Sequence, residues 1–154
     1  MKDLIILGNG MAGMTAALYA KRANLDFKIV GKDEFDFGQI GSAVLVENYP
    51  CSESLSGFDL AMKLYNQLED NRITIEEHTI EKVLRENDGT FSIKYIDGTI
   101  GHSKAVIYAL GATPRQLNCK IDKDVLIHYC AICDGPLYKD KVVAVIGGGD
   151  SAFT

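Results

Sequence analysis

The sequence lacks the features that would point to a membrane protein or to a nucleic-acid-binding protein. No apolar run approaches the roughly 20 residues of a membrane-spanning helix, and 16 Lys and Arg are outnumbered by 21 Asp and Glu. The apolar stretch that follows Met1 is also too short for a signal peptide. We therefore expect a cytoplasmic protein that uses neither a membrane nor a nucleic acid as its partner.

Cysteine is scarce too, and its placement is informative. The 154 residues contain four cysteines, which in a cytoplasmic protein do not form a disulfide framework. Two of them, Cys130 and Cys133, are separated by only two residues, a spacing that indicates redox or metal chemistry. Cys51 and Cys119 are isolated, and we expect both to be inert.

The first thirty residues carry the pattern of a strand, a glycine turn, a helix and a second strand. Residues 3–7 form a short, largely apolar run, and glycines follow at positions 8, 10 and 13. Helical spacing then runs from Met14, and residues 27–30 have the composition of a second strand. Lys21 and Arg22 suit the last turn of the helix. This unit predicts an α/β fold with a parallel sheet.

The next segment combines a long loop with a second helix. Residues 31–55 are irregular and contain Gly38, Gly41 and Pro50, and a loop of this length in a compact domain is either functional or disordered. Ser56 and Asp59 resemble a capping box, which predicts a helix that begins there.

The pattern then changes to short strands and turns. Asp-Gly pairs at residues 88–89 and 97–98 are turn signals, and residues 91–95 alternate between apolar and polar side chains. They predict a small antiparallel meander. Residues 105–110 predict a buried strand that ends at Gly111.

The remaining third of the chain has the signals of a second domain. Thr113 and Pro114 predict a linker, which divides the chain into domains 1–114 and 115–154. Residues 142–146 predict another strand, and the glycines that follow begin a second strand-glycine-helix unit.

The first glycine motif is typical of dinucleotide binding. Gly8 permits a tight turn, Gly10 lets the backbone approach a pyrophosphate, and Gly13 lets the helix pack against the strand. Asp33 and Glu34 follow the second strand, where an acid can hold a ribose hydroxyl. The alternative is a purely structural turn between the strand and the helix.

The second motif repeats this spacing at Gly147, Gly149 and Ala152. Two such motifs suggest two cofactors, a flavin dinucleotide and a nicotinamide dinucleotide. The cysteine pair lies between them in sequence, which suggests electron transfer from the nicotinamide through the flavin to a disulfide. The alternative for this motif is a surface turn.

The cysteine pair can close a small disulfide ring, and the thiolate is its reactive form. Asp134 follows directly and can supply a proton to a departing sulfur. Two other interpretations stay open, namely two inert buried cysteines or half of a zinc site. The further zinc ligands would come from scattered residues: Cys51, Cys119, His78, His102 and His128.

Five motifs in order give the chain a family resemblance. They are residues 8–13, 38–39, 46–50, 109–115, and 130–135 leading to 147–152. Together they resemble the low-molecular-weight thioredoxin reductases of bacteria. The resemblance implies a Rossmann-like, three-layer FAD-binding domain over residues 1–114. Residues 115–154 would begin a second Rossmann-like domain that binds NAD(P)H.

The resemblance also implies the residues that hold the cofactors. The pyrophosphate of FAD would be held by Gly8, Gly10, Ala12 and Gly13, and its adenosine would lie near Asp33 or Glu34. Gln39 and Asn48 would contact the flavin end, and Ile80 would contact the adenine. The motif that contains Ala109 and Gly111 would also contact FAD. The nicotinamide cofactor would contact the second motif: Gly147, Gly149, Asp150 and Ser151.

For the dithiol, the resemblance implies different roles for the two cysteines. Cys133 would face the flavin, Cys130 would attack the disulfide of a thioredoxin-like partner, and Asp134 would be the acid. The family also implies a homodimer. A close alternative among enzymes is the reductase of a peroxiredoxin system, which shares the same motifs. The alternative that is not an enzyme is a truncated, non-catalytic fragment or interaction module.

The chain departs from the family at three positions near the expected flavin site. Phe37 and Cys51 stand where glycine is usual, and Leu110 stands where threonine is usual. The part of the family that returns to the FAD domain is also absent from this sequence. We expect that absence to leave apolar surface of the sheet uncovered.

Overall fold

In the computed structural model, residues 1–153 are described, except for the side chains of Ile132, Cys133 and Ser151. Six strands form one sheet in the order β3-β2-β1-β6-β5-β4. The strands are β1 Lys2–Leu7, β2 Phe27–Gly31, β3 Ile75–Glu77, β4 Ile80–Arg85, β5 Phe91–Tyr95 and β6 Ile100–Tyr108. The helices are α1 Met11–Arg22, α2 Gly57–Asp70, α3 Ala131–Asp134 and α4 Asp150–Phe153, with 3-10 helices at Gly38–Ser42 and Gly135–Tyr138.

The strand β1 lies at the centre of the sheet, parallel to β2 on one side and to β6 on the other. The strands β4, β5 and β6 form the predicted antiparallel meander. The meander is continuous with the parallel sheet, because β6 pairs with β5 through its first residues and with β1 through Ser103 and the residues that follow. The predicted α/β fold with a parallel sheet is therefore confirmed.

The core has two parts because alternate side chains of a strand point to opposite faces. Leu4 and Ile6 of β1 pack with the buried faces of α1 and α2. Ile5 and Leu7 pack on the other face with residues of β2 and β5. Both faces of β1 are covered over Leu4–Leu7, which explains why these four residues are an uninterrupted apolar run.

The helix α2 begins where the capping box predicts. Ser56 is its N-cap, and the Ser56 Oγ accepts a hydrogen bond from the Asp59 backbone N–H at 3.0 Å. The same hydroxyl donates to the Asp59 carboxylate at 2.6 Å. This exchange satisfies a backbone donor that the helix itself leaves unpaired.

The strand predicted over residues 105–110 differs from the structure in length and burial. It starts earlier, at Ile100, and ends at Tyr108. It is also not buried, since Ile107 is 38% exposed and Tyr108 is 71% exposed. The helix α1 packs mainly on α2, β2 and β1 and touches β6 least, so it leaves this end of β6 open to solvent.

The strand predicted over residues 142–146 is not formed in the described part of the chain. Val142, Val145 and Ile146 are largely exposed. A strand needs a neighbour for its backbone hydrogen bonds, and no strand pairing is found for this segment among residues 1–153. The apolar composition alone was therefore insufficient to define a strand. No helix in the described part of the chain has both the length and the apolar character to cross a membrane.

Candidate functional site

A cleft of about 1030 Å³ lies where the carboxyl ends of β1, β2 and β6 meet. Its walls come from the glycine turn, the end of β2, the 3-10 helix Gly38–Ser42, and the segments before β4 and after β6. The lining residues are 8–12, 31–32, 36–40, 42, 78–80 and 108–114. The carboxyl edge of a parallel sheet is where α/β proteins commonly bind their ligands.

The glycine turn forms the floor of this cleft. Gly8 has a φ of +104°, and its N–H donates to the Val30 carbonyl at 2.7 Å. A Cβ on Gly8 would lie 2.3 Å from the Ala109 carbonyl oxygen, and a Cβ on Gly13 would lie 1.8 Å from the Gly8 carbonyl oxygen. Both positions therefore require glycine, so that α1 can pack against the ends of β1 and β6.

Gly10 differs from these two glycines. A Cβ on Gly10 would meet only the Phe37 carbonyl oxygen, at an ordinary 3.5 Å, and the φ of −70° is accessible to any residue. The fold itself therefore does not require glycine at this position. The missing side chain leaves room on the cleft side of the turn, as a pyrophosphate would need.

The N-terminus of α1 opens into the same cleft. Gly10 is its N-cap and provides no side-chain hydrogen bond, and the first turn contains no acidic residue. The first N–H groups of a helix have no intrahelical partner, and they favour an anion. The turn and the helix together therefore fit a phosphate group of a dinucleotide.

Asn9 was not identified from the sequence, although it fixes one wall of the cleft. Its carboxamide is buried, and Nδ2 donates to the carbonyl oxygens of Asp33 at 2.8 Å and Glu34 at 3.2 Å. A Cβ on Gly31 would lie 2.4 Å from the Asn9 Oδ1. Asn9 thus occupies the space that Gly31 leaves empty and connects the glycine turn to the loop after β2.

We expect Gly31→Ala to destabilise the chain, because its methyl group would overlap the Asn9 carboxamide. The overlap should cost about 1–3 kcal/mol of unfolding free energy. Asn9→Ala in the same chain should remove the overlap and recover part of that loss. Urea unfolding of the two single variants and the double variant measures this coupling. Strictly additive losses would contradict the account.

The two predicted acids lie outside the cleft lining. The Asp33 Oδ1 accepts a hydrogen bond from the Phe35 N–H at 2.9 Å, and the Glu34 carboxylate accepts one from the Tyr65 hydroxyl. Lys32 and Asp36 are the charged residues of this loop that line the cleft. The ribose role of Asp33 or Glu34 stays a prediction.

Several residues predicted for the cofactor do meet in the cleft. Its lining includes Gly8, Gly10, Ala12, Gln39, Ile80, Ala109 and Gly111. Gln39 also bridges two walls, since its Nε2 donates to the Ala112 carbonyl oxygen. Gly13 lies behind the turn, and Asn48 is not part of the lining.

Two of the departures from the family have a structural explanation. Phe37 is 2% exposed and packs against Phe58 and Tyr65, with ring centroids 5.7 and 6.2 Å apart. It thereby anchors the loop that carries Gln39 to the core. Cys51 has a φ of 63°, a conformation that favours glycine.

An aromatic and acidic cluster borders the cleft beside Ile80. The His78 ring stacks on Tyr95 with centroids 4.5 Å apart, and its Nδ1 lies 3.1 Å from the Asp97 Oδ2. Hydrogen bonds from the Thr99 hydroxyl and N–H, with a smaller contribution from His78, lower the pKa of the Asp97 carboxyl. Burial, followed by the charges of Glu76 and Asp97, raises the pKa of the Tyr95 hydroxyl.

The predicted dithiol lies on a different segment. Cys130 is disulfide-bonded, whereas Cys51 and Cys119 are free and exposed. Cys133 belongs to α3, but its side chain lies outside the described residues, so its predicted role is not examined by the structure. Among the residues described, no three His, Cys, Asp or Glu side chains group as they would around a metal ion.

Asp134 is the last residue of α3, and its backbone N–H donates to the Cys130 carbonyl at 3.0 Å. Its carboxylate lies 3.1 Å from His128 Nδ1, and the His128 Nε2 lies 2.7 Å from the Tyr138 hydroxyl. The predicted acid therefore has a defined partner. Sequence reasoning considered His128 only as a scattered metal ligand.

The second glycine motif has no close packing neighbours among the described residues. Gly147 has a φ of +126°, and a Cβ on Gly147 or Gly149 would meet nothing within 4 Å. The short helix α4 begins at Asp150. These residues are not part of the cleft lining, and the side chain of Ser151 lies outside the described residues.

Comparison with known proteins agrees with this architecture. The model of the pyridine nucleotide-disulphide oxidoreductase family matches residues 2–153. A thioredoxin reductase of Mycoplasma pneumoniae is 41% identical over 98% of this chain and 48% of its own length. A thioredoxin reductase of Listeria innocua is 36% identical over 97% of this chain and 47% of its own length.

Solved structures give the same result. The thioredoxin reductase of Streptococcus pyogenes superimposes with a TM-score of 0.76 and 35% identity, over 90% of this chain and 45% of that one. The chain spans about half the length of the curated relatives that it matches. The sequence-based resemblance and the Rossmann-like fold are thereby confirmed, while the domain boundary near residue 114 stays a prediction. The chain belongs to the pyridine nucleotide-disulphide oxidoreductase family, together with oxidoreductases named thioredoxin reductase.

Proposed function

We propose that the cleft binds FAD and that this chain is part of an NAD(P)H-dependent thiol-disulfide oxidoreductase. Electrons would pass from NAD(P)H through the flavin to Cys130 and Cys133, and then to a protein disulfide such as that of thioredoxin. The observation that carries the proposal is the glycine turn. At Gly10 it leaves room for a phosphate at the N-terminus of α1, inside a cleft of about 1030 Å³.

The residues of this chain would hold the flavin cofactor by its two ends and its centre. Backbone N–H groups near Gly10 and Ala12 would bind the pyrophosphate. Gln39 would lie toward the flavin end, and Ile80 toward the adenine. When bound, FAD supplies a two-electron carrier between a nicotinamide and a disulfide.

The dithiol would carry out the exchange with the partner. The Cys130 thiolate attacks one sulfur of the partner disulfide and forms a mixed disulfide. The departing partner sulfur takes a proton from the Asp134 carboxyl. The Cys133 thiolate then attacks the Cys130 sulfur, which restores the disulfide of this chain and releases the reduced partner, so that two electrons have moved to it.

We expect the 154-residue chain to bind FAD more tightly than FMN, because FMN lacks the adenylate that the glycine turn and Ile80 would hold. Titration of either flavin, followed by flavin fluorescence, measures the difference. An affinity for FAD at least tenfold higher, equal to about 1.4 kcal/mol, would support the proposal. Equal affinities, or no binding of either flavin, would contradict dinucleotide binding by this cleft.

One observation favours a second function, that of a non-catalytic fragment or interaction module. Tyr108, Val142, Val145 and Ile146 are exposed apolar side chains in the described part of the chain. In the same titration, absence of flavin binding together with a non-cooperative unfolding transition would favour this alternative. A reductase of a peroxiredoxin system would bind FAD equally, and the identity of its protein substrate would distinguish it from a thioredoxin reductase.

The homodimer likewise stays a proposal.

A further inference from the structure

His128 lies between two polar side chains on separate elements. Its Nδ1 is 3.1 Å from the Asp134 Oδ2 of α3, and its Nε2 is 2.7 Å from the Tyr138 hydroxyl of the following 3-10 helix. The rings of His128 and Tyr138 also meet edge to face, with centroids 5.1 Å apart. Three contacts therefore fix the position of one imidazole ring.

This arrangement suits both protonation states of the imidazole. In the neutral ring, Nδ1–H donates to the carboxylate and Nε2 accepts from the Tyr138 hydroxyl. In the charged ring, both nitrogens donate, and the hydroxyl oxygen accepts instead, because a phenol can donate or accept a hydrogen bond. The network can therefore gain or lose a proton without a change of partners.

The exposed fractions of the side chains show which end of the network meets the solvent. The Asp134 side chain is 19% exposed, whereas the His128 side chain is 36% exposed. Asp134 and Tyr138 are the titratable groups that contact the imidazole in the described structure. The neighbouring Tyr129 hydroxyl instead accepts from the Leu117 N–H at 3.3 Å. The imidazole thus connects a partly buried carboxyl to the solvent.

We propose that His128 is a positioning residue that holds Asp134 and returns a proton to it after each disulfide exchange. This rests on the proposed role of Asp134 as the acid. The Nδ1 hydrogen moves to the Asp134 carboxylate, Nε2 takes the hydroxyl hydrogen of Tyr138, and water gives a proton to the Tyr138 oxygen and leaves as hydroxide. Exchange with the solvent then returns the ring hydrogen from Nε2 to Nδ1 before the next disulfide exchange. The net transfer is one proton from water to Asp134.

The test uses the 154-residue chain without flavin, oxidised thioredoxin, and dithiothreitol, which reduces the chain again after each exchange, so that the exchange repeats. The rate at which dithiothreitol reduces thioredoxin in the absence of the chain is subtracted. His128→Asn can still donate one hydrogen bond but cannot pass a proton. We expect it to lower the repeated exchange rate about tenfold, a part of what general acid catalysis contributes. Added imidazole buffer should restore the rate, because it supplies the proton from solution. His102→Asn, which alters an exposed histidine on β6, is the matched control.

Two results would overturn the inference: an unchanged rate in His128→Asn, or a lowered rate that imidazole does not restore. The second would mean that His128 has only a structural role. The imidazole ¹⁵N shifts provide an independent check, since Tyr138→Phe should move the Nε2 resonance of His128 and leave the Nδ1 resonance in place if the hydroxyl is bound to Nε2. Failure of the proposed function itself would look different, because Cys130→Ser would then exchange as fast as the parent chain.

Discussion

Gly13→Ala is expected to disrupt the fold, whereas Gly10→Ala is expected to leave the fold intact and to prevent FAD binding. The methyl group at position 13 would lie 1.8 Å from the Gly8 carbonyl oxygen, which belongs to the backbone and cannot rotate away. The strain should lower the unfolding free energy by about 3 kcal/mol. At position 10 the methyl group fits the protein and occupies the place proposed for the pyrophosphate.

Urea unfolding and FAD titration of both variants separate the two effects. Gly148→Ala is the matched control, because its methyl group would meet nothing within 4 Å. We expect Gly10→Ala to unfold at the urea concentration of the parent chain and to bind FAD at least tenfold more weakly, a loss of about 1.4 kcal/mol. Normal FAD affinity in Gly10→Ala would contradict the placement of the pyrophosphate at this turn.

Cys130→Ser is expected to abolish the exchange of disulfides with thioredoxin, because it removes the attacking sulfur. A serine hydroxyl cannot form the mixed disulfide, so the loss should be complete. The folded state should survive, since Cys130 lies outside both parts of the core. Thiol release from oxidised thioredoxin measures the exchange.

Two other cysteines of the chain serve as controls for this substitution. Cys51 and Cys119 are both free and exposed, so they are available for any non-specific thiol reaction. Cys51→Ser and Cys119→Ser should therefore exchange at the parent rate. If Cys51→Ser lost the activity instead, the reacting thiol would have been assigned to the wrong segment.

The parts of the fold that could be predicted from the sequence have local causes. The turn at Gly8 and the cap at Ser56 depend on residues within a few positions, so their signals are readable in one segment. The strand β1 was predictable because both of its faces are buried over Leu4–Leu7, which makes this part of its sequence continuously apolar.

The errors concern interactions between distant segments. The strand β6 joins the meander to the parallel sheet through pairs such as Lys2 with Ser103, which the sequence of β6 does not indicate. Residues 142–146 are as apolar as a buried strand, but no strand pairing is found for them within residues 1–153. Strand formation depends on such neighbours more than on composition.

The residues of the candidate site also divide into those predicted from local sequence and those that depend on contacts between distant segments. The spacing of Gly8, Gly10 and Gly13 predicted where the cleft would be. Gly8 and Gly13 are required by the packing of the turn, and Gly10 leaves room for a ligand. Asn9 was missed because its function depends on Gly31, which is distant in sequence and meets it only in the fold. His128 was missed for the same reason, since its separation of six residues from Asp134 is not a recognised pattern.

The central claim is that Cys130 is the thiol that attacks the partner, and a trapped complex tests it most directly. Cys133→Ser removes the thiol that would resolve the mixed disulfide. The reduced variant, mixed with oxidised thioredoxin, should therefore accumulate a covalent adduct through Cys130, visible by non-reducing electrophoresis and located by peptide mass spectrometry. An adduct that instead forms with Cys130→Ser through Cys133, or no adduct with either variant, would contradict the account.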